Sequence, residues 1–202
     1  PKNLETTALG AAYMAGLQSG YYANLESIIK IHEYQAKELF ASYGIPVCAQ
    51  RLIPSAADVE DAVYGFGRDD AVVKAQVHAG GRGKAGGVIA AHGKDRIISA
   101  AREMFGKRLV SVQSGPDGIP IRKVLLTEVI GIRKEIYLSM TLDPTTEQLM
   151  IIASEAGGTE IETLAEEAPE QIIRIPVSLQ IGYQTYHGLE TARRIHLPKD
   201  LM

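Results

Sequence analysis

The segment from Val72 to Ile89, VVKAQVHAGGRGKAGGVI, restricts the fold more than any other part of the chain. Five of the nine residues from Ala79 to Gly87 are glycine, and no Asp or Glu occurs between Asp70 and Asp95. Lys74, Arg82 and Lys84 fall in that gap, with His78 beside them. Glycine lets a backbone approach a ligand closely, and backbone N–H groups acting with fixed cations bind anions. The entry, Ala71 to Val77, is apolar and β-branched and reads as a strand. The exit, Gly87-Val88-Ile89-Ala90-Ala91, reads as a second strand rather than a helix. The formal Gly-x-Gly-x-x-Gly at Gly81, Gly83 and Gly86 therefore lacks the strand-to-helix setting of a dinucleotide fingerprint. Gly-x-x-x-x-Gly-Lys-Ser/Thr is absent, which excludes a P-loop. The expected object is a strand, a basic glycine flap and a returning strand. The flap's cations have no acidic neighbour in the sequence, so it is expected to stay mobile until an anion orders it.

Around this flap the pattern alternates. His32 to Tyr43 has helical spacing, with Gly44 as a cap and Pro46 beyond it. Val47 to Ile53 reads as a strand, and Ser55 to about Phe66 as a helix with Asp58 and Glu60 near its positive end. Asp95 to Phe105 reads as an amphipathic helix ended by Gly106. Gly115-Pro116-Asp117-Gly118 is a turn, and Ile121 to Val129 a strand. Glu135 to Leu142 and Gln148 to Ala153 flank Asp143-Pro144-Thr145-Thr146 as a hairpin. The final stretch from Tyr186 begins a helix that the chain end is expected to interrupt. Helices and strands in this order predict mixed α/β layers. Residues 1 to about 28 form a separate piece, with a small-residue helix over Thr6 to Leu17 that Thr6 or Thr7 could cap.

Composition excludes several classes. Net charge is −3, which does not favour non-specific nucleic-acid binding. The single cysteine, Cys48, rules out an internal disulfide and suits a reducing compartment. No apolar run approaches the ~20 residues of a membrane span. A cytoplasmic location is expected.

Val73 to Val88 resembles the nucleotide loop of the β subunit of succinate–CoA ligases, which are ATP-grasp enzymes, and Ile31-His32-Glu33-Tyr34-Gln35-Ala36-Lys37 resembles the opening of that subunit. The resemblance covers residues 29–202 and includes Ser154-Glu155-Ala156-Gly157-Gly158-Thr159-Glu160-Ile161-Glu162. It implies an ATP-grasp fold that is incomplete, truncated at its C-terminal end, and the separate helix of residues 1–28 is expected to precede it. It implies that Lys74 contacts nucleotide phosphates, that Arg82 clamps phosphate oxygens between Gly81 and Gly83, and that Glu128 meets the adenine or ribose side while Glu135 lies near the ribose hydroxyls. A solvated strand-end charge is the competing reading for both glutamates, and a structural salt bridge the competing reading for Lys74, since a buried lysine needs an anion or a route to solvent. In such enzymes ATP, CoA and succinate give ADP, phosphate and succinyl-CoA, and the phosphorylated histidine belongs to a partner α subunit. No catalytic residue and no metal ligand is therefore assigned here, and His32 and His78 are expected to be structural. The family's magnesium ligands sit in a Glu-x-Asn-Pro pattern followed by an aspartate, which this sequence does not contain. Without magnesium the transferred phosphoryl group loses charge neutralisation, so the chain is expected to bind nucleotide and to be inactive alone. A related malate–CoA ligase and a non-catalytic interaction module are the alternatives. The pattern departs from the family at Cys48-Ala49-Gln50 and in the spacing between Glu128 and Glu135, one residue shorter than usual. Asn3 to Tyr13 resembles a stretch near the C-terminal end of glycerol kinase, read as a remnant without that activity.

Overall fold

The computed structural model describes residues 31–111, 114–143, 148–158 and 161–199. The helix expected over Thr6 to Leu17 lies outside these residues. The described residues divide into two units, one ending at Gly131 and the other beginning at Ile132.

In the first unit, α1 (Glu33–Ser42) precedes β1 (Gln50–Ile53). A 3-10 turn (Ala56–Asp58) leads into α2 (Val59–Phe66), then β2 (Asp70–Ala75), β3 (Val88–His92) and α3 (Lys94–Phe105). The short strands β4 (Arg108–Leu109) and β5 (Ile119–Pro120) pair with each other, and β6 (Val124–Thr127) follows. The sheet runs β1-β6-β2-β3, antiparallel at every step. As expected, the glycine segment joins two neighbouring antiparallel strands.

Period-two alternation decides which side chains meet. Val73 lies opposite Leu126, and Lys74 opposite Leu125. Ala71, Val73, Ala75, Val124 and Leu126 face the core that α2 and α3 cover, with Val59, Val63, Ile97, Ala101 and Met104. Lys74 and Leu125 must point the other way. That face is closed by α1: the Tyr34 N–H donates to Gln76 Oε1 at 3.3 Å, and Gln50 Nε2 donates to the Tyr34 carbonyl at 3.2 Å. All four residues of β6 are consequently buried.

The second unit contains β7 (Tyr137–Asp143), β8 (Gln148–Ser154), α4 (Ile161–Glu167), a 3-10 turn (Pro169–Gln171), β9 (Ile173–Val177) and α5 (Thr185–Arg194). Its sheet is β7-β8-β9, again antiparallel. The expected hairpin is present as β7 and β8. Its core holds Leu149, Ile151, Ala153, Ile173, Ile175, Val177 and Ile195. The last helix is complete at Arg194 instead of being cut by the chain end. Ile195 is buried in the core beyond it, and His196 takes φ +49°, which breaks helical geometry. Two strands are shorter than expected, because β1 starts at Gln50 and β6 at Val124. No described helix is long and apolar enough to cross a membrane.

Candidate functional site

The flap of residues 76–87 is built on its own backbone. Gly87 N–H donates to the Arg82 carbonyl at 2.7 Å, and Ala85 N–H to the Gly81 carbonyl at 3.1 Å. The Ala75 N–H then donates to the Gly87 carbonyl at 2.8 Å and carries the β2–β3 ladder to the flap's base. A Cβ at Gly87 would meet Leu109 Cδ1 at 2.6 Å and the Arg82 carbonyl at 3.2 Å, so any side chain there must displace Leu109. Above the flap the space is open: a Cβ at Gly86 would meet nothing within 4 Å.

Beneath the flap lies a buried charge cluster centred on Glu33. The side chain of Glu33 is 2% exposed. Its Oε1 receives Lys74 Nζ at 3.1 Å and Lys37 Nζ at 3.0 Å; its Oε2 receives Arg82 Nη2 at 2.7 Å. Arg82 Nη1 donates to the Ala75 carbonyl at 2.5 Å. Three chain segments converge here: the first turn of α1, strand β2 and the flap. Glu33 and Lys37 sit one helical turn apart and share a face of α1. Glu33 also lies at the positive end of that helix. Burial pushes the Glu33 carboxyl up, but Lys74, Arg82 and Lys37 outweigh it and hold it well below the usual carboxylate range.

Two histidines lie beside the cluster. His32 and His78 stack with ring centroids 4.0 Å apart and 11° between planes. Burial lowers the His32 pKa from 6.5 to about 4, and His78, Lys123 and Arg82 push the same way. Lys123 Nζ lies 3.2 Å from the Tyr34 hydroxyl.

Of the residues singled out from the sequence, Lys74 and Arg82 meet, joined through Glu33, with Gly81 and Gly83 flanking Arg82. The flap was expected to have no internal partner; Glu33 supplies one to Arg82, 49 residues away. Both cations are buried rather than displayed to solvent. Glu128 stands at the other end of β6. Its Oε1 accepts the Ala49 N–H at 2.9 Å, and its Oε2 pairs with Arg68 at 2.6 Å. Three residues separate it from Leu125, the partner of Lys74, which is about 10 Å along a strand. Glu135 belongs to the second unit, just before β7, where its carbonyl accepts the Gly157 N–H at 3.2 Å. Sequence reasoning missed Glu33 and Lys37 as members of the site. The available signal was their i, i+4 spacing inside the 31–37 motif. Among the described residues no three His, Cys, Asp or Glu side chains group to hold a metal ion.

An antiparallel sheet roofed by a basic glycine hairpin over buried cations, with a second antiparallel sheet later in the chain, is the construction of a nucleotide-grasping α/β domain. The chain belongs to the ATP-grasp domain family, whose model matches residues 30–202. It is 45% identical over 170 residues to a succinate–CoA ligase [ADP-forming] subunit beta of Desulfatibacillum aliphaticivorans, covering 84% of this chain and 44% of that protein. To the subunit of the same name from Bacillus licheniformis it is 42% identical over 174 residues, covering 86% and 45%. The chain thus spans less than half the length of these relatives. Among solved structures it resembles a dinucleotide-forming acetyl-coenzyme A synthetase 1 of Ca. Korarchaeum cryptofilum, with a TM-score of 0.57, 18% identity, and coverage of 91% of this chain and 70% of that one. At that identity the likeness is one of fold.

Proposed function

We propose that residues 29–202 form the nucleotide-binding part of an ADP-forming succinate–CoA ligase β subunit, and that the flap and the Glu33 cluster hold the phosphates of ATP. The observation that carries this reading is the convergence on Glu33. Lys37 and Lys74 share a single carboxylate oxygen in a buried setting, so among the described residues one carboxylate faces two ammonium groups. A low-dielectric site with that balance favours an arriving anion. The glycine backbone above is open to one, and Arg82 fastens the flap to the cluster. The 42–45% identity to subunits of one name supports the choice of family member.

In the complete enzyme, ATP, succinate and CoA would give ADP, phosphate and succinyl-CoA with an α subunit as partner. Magnesium would neutralise the transferred phosphoryl group when bound, and the chemistry would draw on groups beyond this cluster. Calorimetric titration of ATP into the chain and into Lys74→Ala and Arg82→Ala tests the binding half. Each variant should lose about 1.5–3 kcal/mol, the range for hydrogen bonds to charged groups. Equal affinity across all three would remove both residues from the site. An ADP-release assay with CoA and succinate tests the other half, and robust turnover by the chain alone would show that its own residues suffice.

A further inference from the structure

The flap turns one of its cations inward. Gly81, Lys84 and Gly86 are exposed, whereas Arg82 and Gly87 are buried. Gly87 closes the flap's base, since its carbonyl receives the Ala75 N–H. Arg82 reaches the same residue from the side. Its Nη1 donates to the Ala75 carbonyl, and its Nη2 donates to Glu33 Oε2 at 2.7 Å.

The two oxygens of Glu33 serve different segments. Oε1 receives Lys74 from β2 and Lys37 from α1, and Oε2 receives Arg82 from the flap. One carboxylate thereby joins helix, strand and flap. The residue before it, His32, stacks on His78, so the start of α1 meets the flap at its entry as well as at Arg82. A buried guanidinium without a counter-charge is unfavourable. Loss of the carboxylate should therefore drive Arg82 outward and carry the flap with it.

We propose that Glu33 is a positioning residue: through Arg82 it fastens the glycine flap in place before any ligand arrives, so that a polyphosphate meets a preformed flap held from beneath. The fastening rests on the geometry; its effect on ATP rests on the function proposed above. A flap ordered in advance gives up little freedom when it binds. The carboxylate thus strengthens the binding of an anion that its own charge repels.

The test uses the full chain. Backbone NMR order parameters of residues 79–87 should be about 0.85 in the ligand-free wild type, the level of rigid backbone, and should fall below about 0.6 in Glu33→Met, while those of β2 and β6 stay unchanged. Methionine has nearly the length of glutamate but at most a weak acceptor. Arg82→Met should loosen the flap in the same way. In calorimetric titration Glu33→Met should bind ATP about tenfold more weakly than the wild type, the worth of about one hydrogen bond to a charged group. Simple repulsion predicts the opposite sign, because the variant removes a negative charge from beside the phosphates. The double variant Glu33→Met/Arg82→Met should bind no more weakly than Arg82→Met alone. A flap that is flexible in the wild type, or that stays rigid in either single variant, overturns the fastening. A Glu33→Met protein whose flap loosens but which binds ATP as well as the wild type or better, or whose loss adds in full to that of Arg82→Met, overturns the positioning role and leaves the phosphate site standing. If the wild type binds no ATP, the proposed function fails and the order parameters alone decide the fastening. Should Glu33→Met not fold, Arg82→Met, which leaves Glu33 paired with both lysines, carries the test, and a rigid flap in that variant overturns the fastening.

Discussion

Arg82 Nη2 and Glu33 Oε2 meet at 2.7 Å with both side chains 2% exposed, although 49 residues separate them in the chain. This contact ties the glycine flap to the first turn of α1. It makes the flap's principal cation part of the interior, with consequences for stability, acid response and salt response.

Glu33→Gln should lower stability by roughly 3–5 kcal/mol, the cost of leaving buried charges without their partner. Urea denaturation at pH 7 checks this. A change below about 1 kcal/mol would mean that Lys37, Lys74 and Arg82 find other partners at little cost.

The acid limb should depend on the same residue. The folded-state pKa of Glu33 is depressed, so its contribution is full above the ordinary carboxylate pKa and is lost as pH falls below it. Between pH 5 and pH 2 the wild type should lose more stability than Glu33→Gln. Parallel profiles for the two proteins would separate the carboxylate from acid unfolding.

His32 should act in a different window. Its folded-state pKa is about 4 against 6.5 for the free side chain. Between those values the unfolded chain takes up a proton that the folded chain refuses, so stability is full above pH 6.5 and falls toward pH 4. The His32 imidazole resonances should titrate with a midpoint near 4, and a midpoint near 6.5 would contradict the burial and the neighbouring charges that depress it. His32→Asn should flatten the stability profile in that window.

The salt dependence of ATP affinity should barely change on substituting Lys74. Its ammonium is buried, and screening acts mainly on exposed charges. Titrations of wild type and Lys74→Ala at 0.05 and 0.5 M salt should show a constant difference; a difference that vanishes at high salt would place the ammonium in solvent when ligand is bound.

Gly87→Ala should destabilise by about 1–3 kcal/mol, the usual effect of forcing a methyl group into a packed site. Its Cβ would meet Leu109 Cδ1 at 2.6 Å. Adding Leu109→Ala to Gly87→Ala should recover part of that loss relative to the sum of the single variants. Strict additivity in thermal melts would show that the two positions do not compete for space.

The sequence by itself determined the hairpin that carries the flap, because β-branched runs on both sides of a glycine cluster admit few other conformations. It also determined that Lys74 leaves the α2–α3 core, since strand alternation places it opposite to Val73 and Ala75. The pattern from Glu135 to Ala153 likewise specified the β7–β8 hairpin. Only the tertiary structure decided what Lys74 and Arg82 touch. Their partner comes from a helix 41 and 49 residues earlier, and the docking of that helix depends on hydrogen bonds of Tyr34 with Gln50 and Gln76 that no local pattern encodes. The contact of Glu135 was beyond reach for the same reason: its carbonyl accepts the N–H of Gly157, beyond the far end of the next strand. Local periodicity fixes the direction in which a side chain leaves its own element. The atoms that receive it are set by packing between elements distant in sequence.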